Sequence, residues 1–352
     1  MNVLVLGGGQ QGRVIAADLA RSLPATRIAV ADVREPRLAA LPNLRWIPAD
    51  LANPTTAARL ISEYDLAVGA LPSRFGFATM RAAIDARRPL VDVSFCAENP
   101  LDLDAAARAA GVLVLPDCGL APGLSHLCVG HAASQGVLEE VVIYVGGVAQ
   151  DASRPYGYVV TWSLDDLLEE YVRPARLVRG GATLTLPAFA EPERLAVEGA
   201  GEMEAFLSDG LRTLIATMPG VPDMAEKTLR WPGHADAVKP LVESGRFLDE
   251  FRAQCVVEEP RDLVALVVRV RWRDHAARMT LVDRYDVASR LTAMARTTAL
   301  TTSVAAQLLA EGGLREPGVH PLERVGRDRR SYDFIIDGLA RRGVRMGWRD
   351  EG

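Results

Sequence analysis

Residues 1–32 constrain this chain more than any other stretch. Asn2-Val3-Leu4-Val5-Leu6 is a short aliphatic run with the β-branched content of a buried strand. It breaks into Gly7-Gly8-Gly9-Gln10-Gln11-Gly12, and Arg13 to Arg21 then resumes with helical periodicity. Gly7, Gly9 and Gly12 match G-x-G-x-x-G, a spacing in which each glycine has its own task. Gly7 allows the tight turn, Gly9 lets a pyrophosphate approach the backbone, and Gly12 lets the helix pack closely on the strand. Gln10 and Gln11 lie where the helix begins, and its N-terminal N–H groups and partial positive charge suit phosphate. A second apolar run, Arg27 to Ala31, ends at Asp32, twenty residues after Gly12. A carboxylate there accepts hydrogen bonds from adenine-ribose hydroxyls and repels a 2′-phosphate, which favours NAD over NADP as cofactor. Arg34 argues the other way, since a guanidinium can receive that phosphate. A glycine turn that binds nothing is the plain alternative; strand, turn, helix, strand and acid in register stand against it.

The pattern continues in the same style. Asn43 to Asp50 reads as a third strand ending in a second acid, Asp50, placed either to contact adenine or to cap the next helix. Helices at Thr55–Glu63, Phe75–Ala86 and Asp104–Ala110 alternate with strands at Leu66–Leu71, Pro89–Ser94 and Val112–Leu115. Six strands alternating with helices predict an α/β fold, a Rossmann doubly wound parallel sheet with ligands beyond the strands' carboxyl ends. The loops at Gly7–Gly12, Ala70–Ser73, Ser94–Phe95 and Asp117–Ser125 should therefore converge, making Leu71, Pro72 and Ser94 candidate cofactor contacts.

Past Val137 the alternation stops. Glu139–Val148 and Tyr158–Trp162 read as strands, Leu164–Tyr171 as an amphipathic helix, and Gly201–Met218 as holding another helix. Leu263–Trp272 and Met279–Val287 pair as a hairpin, and Ser289–Glu311 is a long helix. This predicts an α+β mixed-sheet second domain. The expected boundaries are 1–125, 126–288 and 289–352, the last segment packing its helices back on the Rossmann domain and ending in a surface helix and extension.

At 352 residues there is room for two cores, and a net charge of −5 gives no reason to expect nucleic acid or an anionic membrane. The basic cluster Arg324–Arg330 reads as a solvated surface. Cys96, Cys118, Cys128 and Cys255 show no metal-ligand spacing, so no metal is expected. The opening directly on a strand leaves no room for a signal peptide, and no apolar stretch is long enough to span a membrane, so a soluble, cytoplasmic protein is expected.

Two stretches carry a resemblance: Val91-Asp92-Val93-Ser94-Phe95, and Pro116-Asp117-Cys118-Gly119-Leu120-Ala121-Pro122-Gly123-Leu124-Ser125. The chain resembles the saccharopine dehydrogenase-like oxidoreductases, and within them is most similar to the lysine 6-dehydrogenases. The likeness runs on through Val160–Ser163, Gly201–Phe206, Asp209–Thr213, Lys227–His234 and Met294–Thr298. It implies oxidation of a C–N bond, with hydride passing to a nicotinamide: for lysine, ε-deamination to a semialdehyde that cyclises. Relatives acting on saccharopine or carboxynorspermidine join two substrates instead. Lysine carries one carboxylate for the pocket to neutralise, saccharopine three. With the second domain's edge strands, the resemblance also implies a homodimer.

Such chemistry needs a neutral amine, so a base must take a proton from the ammonium. Asp117 is the first candidate for that base. Held ionised it would grip the ε-ammonium by charge, and as a cap for the turn through Gly119 it would do neither. Asp92 and Ser94 share a face of the sheet, Ser94 placed by the nicotinamide and Asp92 as a loop anchor. Arg212 can grip an α-carboxylate through both oxygens, with Thr213 beside it, unless it is a surface arginine. His234 is a candidate acid or base, with a structural histidine as the alternative. Glu204 is a candidate for holding an amine, and Lys227 reads as a solvated strand lysine, or as a catalytic one if it is desolvated. Trp162 is either an apolar wall for the lysine methylenes or core. A nucleotide-binding regulator and an inactive homologue are the competing classes; the glycines, Asp32 and Asp117 occurring together argue against both.

Overall fold

The computed structural model describes residues 1–351. The first half of the chain forms β1 (Asn2–Leu6), α1 (Gln10–Ser22), β2 (Arg27–Asp32), β3 (Leu44–Pro48), α2 (Pro54–Ser62), β4 (Leu66–Gly69), α3 (Ser73–Asp85), β5 (Leu90–Asp92), α4 (Asp104–Ala110), β6 (Leu113–Leu115) and α5 (Leu124–Gln135). Then follow β7 (Leu138–Ala149), α6 (Leu164–Val172), β8 (Ala175–Arg179), β9 (Ala182–Leu186), β10 (Glu193–Val197), β11 (Gly201–Leu207), α7 (Leu214–Thr217), β12 (Asp223–Arg230), α8 (His234–Glu243) and α9 (Phe247–Gln254). The chain ends with β13 (Asp262–Trp272), β14 (Ala276–Arg284), α10 (Ala293–Ala310), β15 (Gly318–Val319), α11 (Leu322–Val325), α12 (Arg329–Arg341) and β16 (Met346–Glu351). Two compact units result: 1–127 with 298–342, and 128–297 with 343–352.

The first unit is the expected Rossmann sheet. Its strand order is β15-β6-β5-β4-β1-β2-β3, with every pair parallel. The strands form because their apolar runs are buried whole: Val3, Leu4, Val5 and Leu6 are all at 0% exposure. Burying one such side chain is worth about 1.5–3 kcal/mol. Strand order reverses between β1 and β4, the point where doubly wound sheets bind ligands. The tail after Gly312 departs from the expected surface helix and extension: β15 adds a seventh strand beside β6, and β16 joins the other sheet.

The second unit is built on a nine-stranded mixed sheet, ordered β10-β11-β12-β7-β13-β14-β16 with β8 and β9 attached through β12. β12 and β7 run parallel and the other pairs antiparallel. Two expectations fail here. Gly201–Met218 is strand β11 followed by a turn and the short α7, because Met203, Ala205 and Leu207 are buried on alternate positions. Tyr158–Trp162 is no strand. It crosses an aromatic cluster containing Tyr158, Tyr171, Phe206, Phe247 and Phe251, tied by the Val160 N–H to the Cys255 carbonyl at 2.9 Å. Among the described residues, no helix is long and apolar enough to cross a membrane.

Candidate functional site

In the first unit, the glycine turn is shaped by contact. Gly7 takes φ +100°, and its N–H donates to the Ala31 carbonyl at 2.9 Å. A Cβ on Gly12 would overlap the Gly7 carbonyl oxygen, so helix and strand approach as only glycine permits, whereas a Cβ on Gly9 would meet nothing within 4 Å. Gly9 caps α1 with no side-chain bond, leaving the first N–H groups for an anion. Gln10 is exposed, and the buried Gln11 Oε1 has no hydrogen-bond partner among the described residues. Asp32 braces the turn: its Oδ2 accepts from Gly8 N–H at 2.7 Å and its Oδ1 from Arg34 N–H at 3.0 Å. Leu71 lies against Gly7, and Pro72 holds the N-cap position of α3. This open, uncapped turn fits a dinucleotide pyrophosphate. Asp50 does not cap α2: Asn53 does, while Asp50 is exposed and accepts only from Ala52 N–H at 3.0 Å.

Beyond β5 and β6, the same unit gathers buried acids. The Ser94 N–H donates to Asp92 Oδ1 at 2.8 Å, and its hydroxyl donates to the same oxygen. A Cβ on Gly69 would overlap Asp92 Oδ2, and one on Gly76 would overlap Ser94 Oγ, so the pair is packed between strand and helix. Burial pushes Asp92 up to about 6; the Ser94 hydrogen bonds oppose this, and the Asp117 charge adds to it. Asp117 is 1% exposed and held at φ +53°, a left-handed conformation that costs a non-glycine residue about 1–3 kcal/mol. Next to it, burial and the charges of Asp117, Asp92 and Glu323 raise the Cys118 thiol, which stays protonated. His126 and Glu323 form a buried pair at 3.5 Å. Asp92 as an acid, Cys118, His126 and Glu323 escaped the sequence reading; only the alternation through Asp92 and the signature loop around Cys118 offered a signal.

In the second unit, Glu226, Thr228 and Arg230 alternate along one face of β12, against α6. Arg230, 2% exposed, donates from Nη2 to both Glu170 oxygens at 3.1 and 3.2 Å and from Nε to the Tyr171 hydroxyl at 2.8 Å. Thr228 also donates to Glu170. Tyr171, already accepting from Arg230, gives its proton to His234 Nε2 at 2.9 Å, while Nδ1 faces the Tyr156 carbonyl at 2.7 Å. Burial, then the Arg230 charge, pushes His234 down to about 3. With both nitrogens held and the ring neutral, His234 is a structural link rather than an acid or base. Glu204 is likewise not aimed at an amine: its carboxylate caps α8, accepting from Gly233 N–H at 2.8 Å and Ala235 N–H at 2.6 Å. Lys227 is buried, not solvated, and pairs with Glu193 at 2.7 Å. Trp162 edges the aromatic cluster and donates to the Tyr158 hydroxyl at 3.1 Å.

Arg212 and Thr213 are both buried, so Arg212 is not a surface arginine. They belong to the turn 208–213, where Arg212 takes φ +48° and Asp209 is clamped by the Arg176 guanidinium at 2.8 and 2.9 Å. Glu226 presses against this turn: a Cβ on Gly210 would overlap its carboxyl. Burial first, then Glu170 and Asp209, raise Glu226 to about 8 against the pull of Arg212 and Ser208. The sequence reading missed Glu226, whose neighbours in MAEKTLR read as a solvated strand. Among the described residues, no group of acids, histidines and cysteines could hold a metal ion.

The chain matches two family models: the saccharopine dehydrogenase NADP binding domain over residues 3–115, and the saccharopine dehydrogenase C-terminal domain over residues 119–344. It is similar to the NADP(+), L-glutamate-forming saccharopine dehydrogenases of Pyricularia oryzae (25% identity, covering 54% of this chain and 45% of the relative) and Saccharomyces cerevisiae (24%, covering 71% and 59%). The chain thus spans about half the length of the curated relatives it matches. Among solved structures, the apo saccharopine dehydrogenase (L-Glu forming) of Saccharomyces cerevisiae shares the fold, with a TM-score of 0.76 at 18% identity over 100% of both chains.

Proposed function

Because the chain belongs to the saccharopine dehydrogenase family, we propose that it oxidises the C–N bond of an amino-acid amine with a nicotinamide dinucleotide, and that its substrate is L-lysine, attacked at the ε-amine. One observation carries the choice of lysine. Arg212, Lys227 and Arg230 are the buried cations among the described residues, and acids surround them: Glu170 at Arg230, Glu193 and Glu191 at Lys227, and Glu226 within reach of the Arg212 charge. Such a set suits one carboxylate better than the three of saccharopine.

The N–H groups of α1 and the open side of Gly9 would hold the pyrophosphate, and Asp32 would hold the adenine ribose, which favours NAD. The dinucleotide supplies the hydride acceptor. Asp117, on the first unit, would take the proton of the ε-ammonium. Water then hydrolyses the imine, ammonia leaves, and the aldehyde closes on the α-amine.

A second reading, saccharopine with NADP, is supported by the names of the relatives and by the exposed Arg34. The test is reduction of NAD and of NADP by the purified chain with L-lysine, D-lysine, ornithine, saccharopine or carboxynorspermidine, with ammonia measured in parallel. Reduction by L-lysine with equimolar ammonia is the expected result. Activity with saccharopine alone would replace lysine by the second reading, and silence with all five would overturn both.

A further inference from the structure

On the second unit, the turn 208–213 and strand β12 carry three buried polar atoms with no hydrogen bond of good geometry among the described residues, Glu226 Oε2, Ser208 Oγ and Thr213 Oγ1, although the Ser208 hydroxyl lies near enough to Glu226 to pull its carboxyl down. Buried polar atoms are rarely left this way, and such a group points to a missing ligand or water. The turn is rigidly placed, with Asp209 taking the Arg176 N–H at 3.1 Å in addition to both guanidinium bonds. A Cβ on Gly210 would overlap the Glu226 carboxyl, so the absence of a side chain there lets the carboxyl lie against the turn. Arg212, on the same turn, is the cation whose charge reaches Glu226.

We propose that Glu226 is a specificity-determining residue that receives the α-ammonium of the substrate while Arg212 holds its α-carboxylate, so that the two read an amino acid by its zwitterionic end. This rests on the amino-acid dehydrogenase reading above. It goes further by assigning the residue that distinguishes an α-amino acid from an amine lacking that group. A carboxyl kept neutral by burial ionises when a cation arrives beside it. The groups facing Glu226 are the Glu170 and Asp209 carboxylates, the Arg212 guanidinium and the Ser208 hydroxyl, and none of them supplies that cation at Oε2. The step is an acid–base exchange: Glu226 gives its proton to solvent, and the ammonium keeps all of its own.

The experiment is titration calorimetry of the full chain with L-lysine, saccharopine and 6-aminohexanoate, which lacks the α-amino group, in two buffers of different ionisation enthalpy. The unmodified protein should bind one of the two α-amino acids about tenfold or more tightly than 6-aminohexanoate near neutral pH, releasing a proton. Glu226→Gln should bind that amino acid and 6-aminohexanoate alike, without proton release, while a cooperative urea transition read by the tryptophans of the second unit reports that this unit is folded. Unchanged discrimination in Glu226→Gln would overturn the assignment even if lysine is turned over. Lost discrimination without lysine turnover would uphold it and sink the lysine reading instead. Failure of the unmodified protein to bind either amino acid would overturn both.

Discussion

Glu226→Gln should flatten the pH dependence of the second unit's stability. The Glu226 carboxyl, at 5% exposure, is raised from the ordinary 4.5 to about 8, chiefly by burial. The folded chain therefore holds this proton more tightly than the unfolded chain does. The stabilising effect of that proton is complete below pH 4.5 and is lost as pH climbs through about 8. At 1.36 kcal/mol per pH unit, the loss amounts to about 5 kcal/mol, a large share of the stability of an ordinary domain. Gln cannot ionise, so its stability should follow only the other groups, among them Asp262, which burial also raises, to about 6, and which both proteins share. Urea unfolding followed by tryptophan fluorescence reads the relevant unit, because Trp162, Trp231, Trp272 and Trp348 belong to it and only Trp46 to the other. With a urea slope of about 2 kcal/mol per molar, the two midpoints should diverge by about 2 M between about pH 5 and about pH 8.5. Parallel profiles, differing by less than about 1 kcal/mol across that range, would refute the claim that burial outweighs the pull of Arg212 and keeps the Glu226 carboxyl protonated at neutral pH.

Four further outcomes are expected. Gly12→Ala drives a methyl into the Gly7 carbonyl and should weaken dinucleotide binding at least about tenfold in a fluorescence titration; unchanged affinity would mean the turn is not the binding element. Asp32→Ala removes the acceptor for Gly8 and Arg34 N–H and should weaken NAD more than NADP; equal affinities in the unmodified protein would contradict the reading of Asp32. Asp117→Asn should lower kcat strongly with dinucleotide affinity kept within a few-fold, and an unchanged kcat would remove Asp117 from the proton transfer. Glu170→Gln strands the buried Arg230 charge and should cost about 3–5 kcal/mol in urea unfolding, whereas a loss below about 1 kcal/mol would show that Arg230 is not dependent on that pair.

The first unit was legible because its signals are local. A parallel strand covered on both faces must be apolar throughout, as Val3–Leu6 and Leu66–Val68 are, and the turn between β1 and α1 needs glycine at fixed offsets. The second unit defeats the same reasoning in two ways. In Gly201–Met218, Met203, Phe206, Leu207, Leu211, Leu214 and Ile215 satisfy helical spacing while Met203, Ala205 and Leu207 satisfy alternation, and only strand pairing with β10 and β12 chooses between them.

The second difficulty reaches further, because it concerns charge. Asp223–Arg230 places an acid, a lysine and an arginine in a strand where all three are buried, so its composition resembles a solvated edge. What makes that burial tolerable lies far off in the chain: Glu170 for Arg230, Glu193 for Lys227, and turn 208–213 for Glu226. A charge leaves water only where a partner is built for it, and the partner's position is a property of the fold. The same logic inverts the reading of His234, Glu204 and Glu226. The first two have reactive side chains whose hydrogen bonds are already committed, so they hold the unit together. Glu226 keeps one buried oxygen, Oε2, without a hydrogen bond among the described residues, and that is the atom the proposed substrate contact would use.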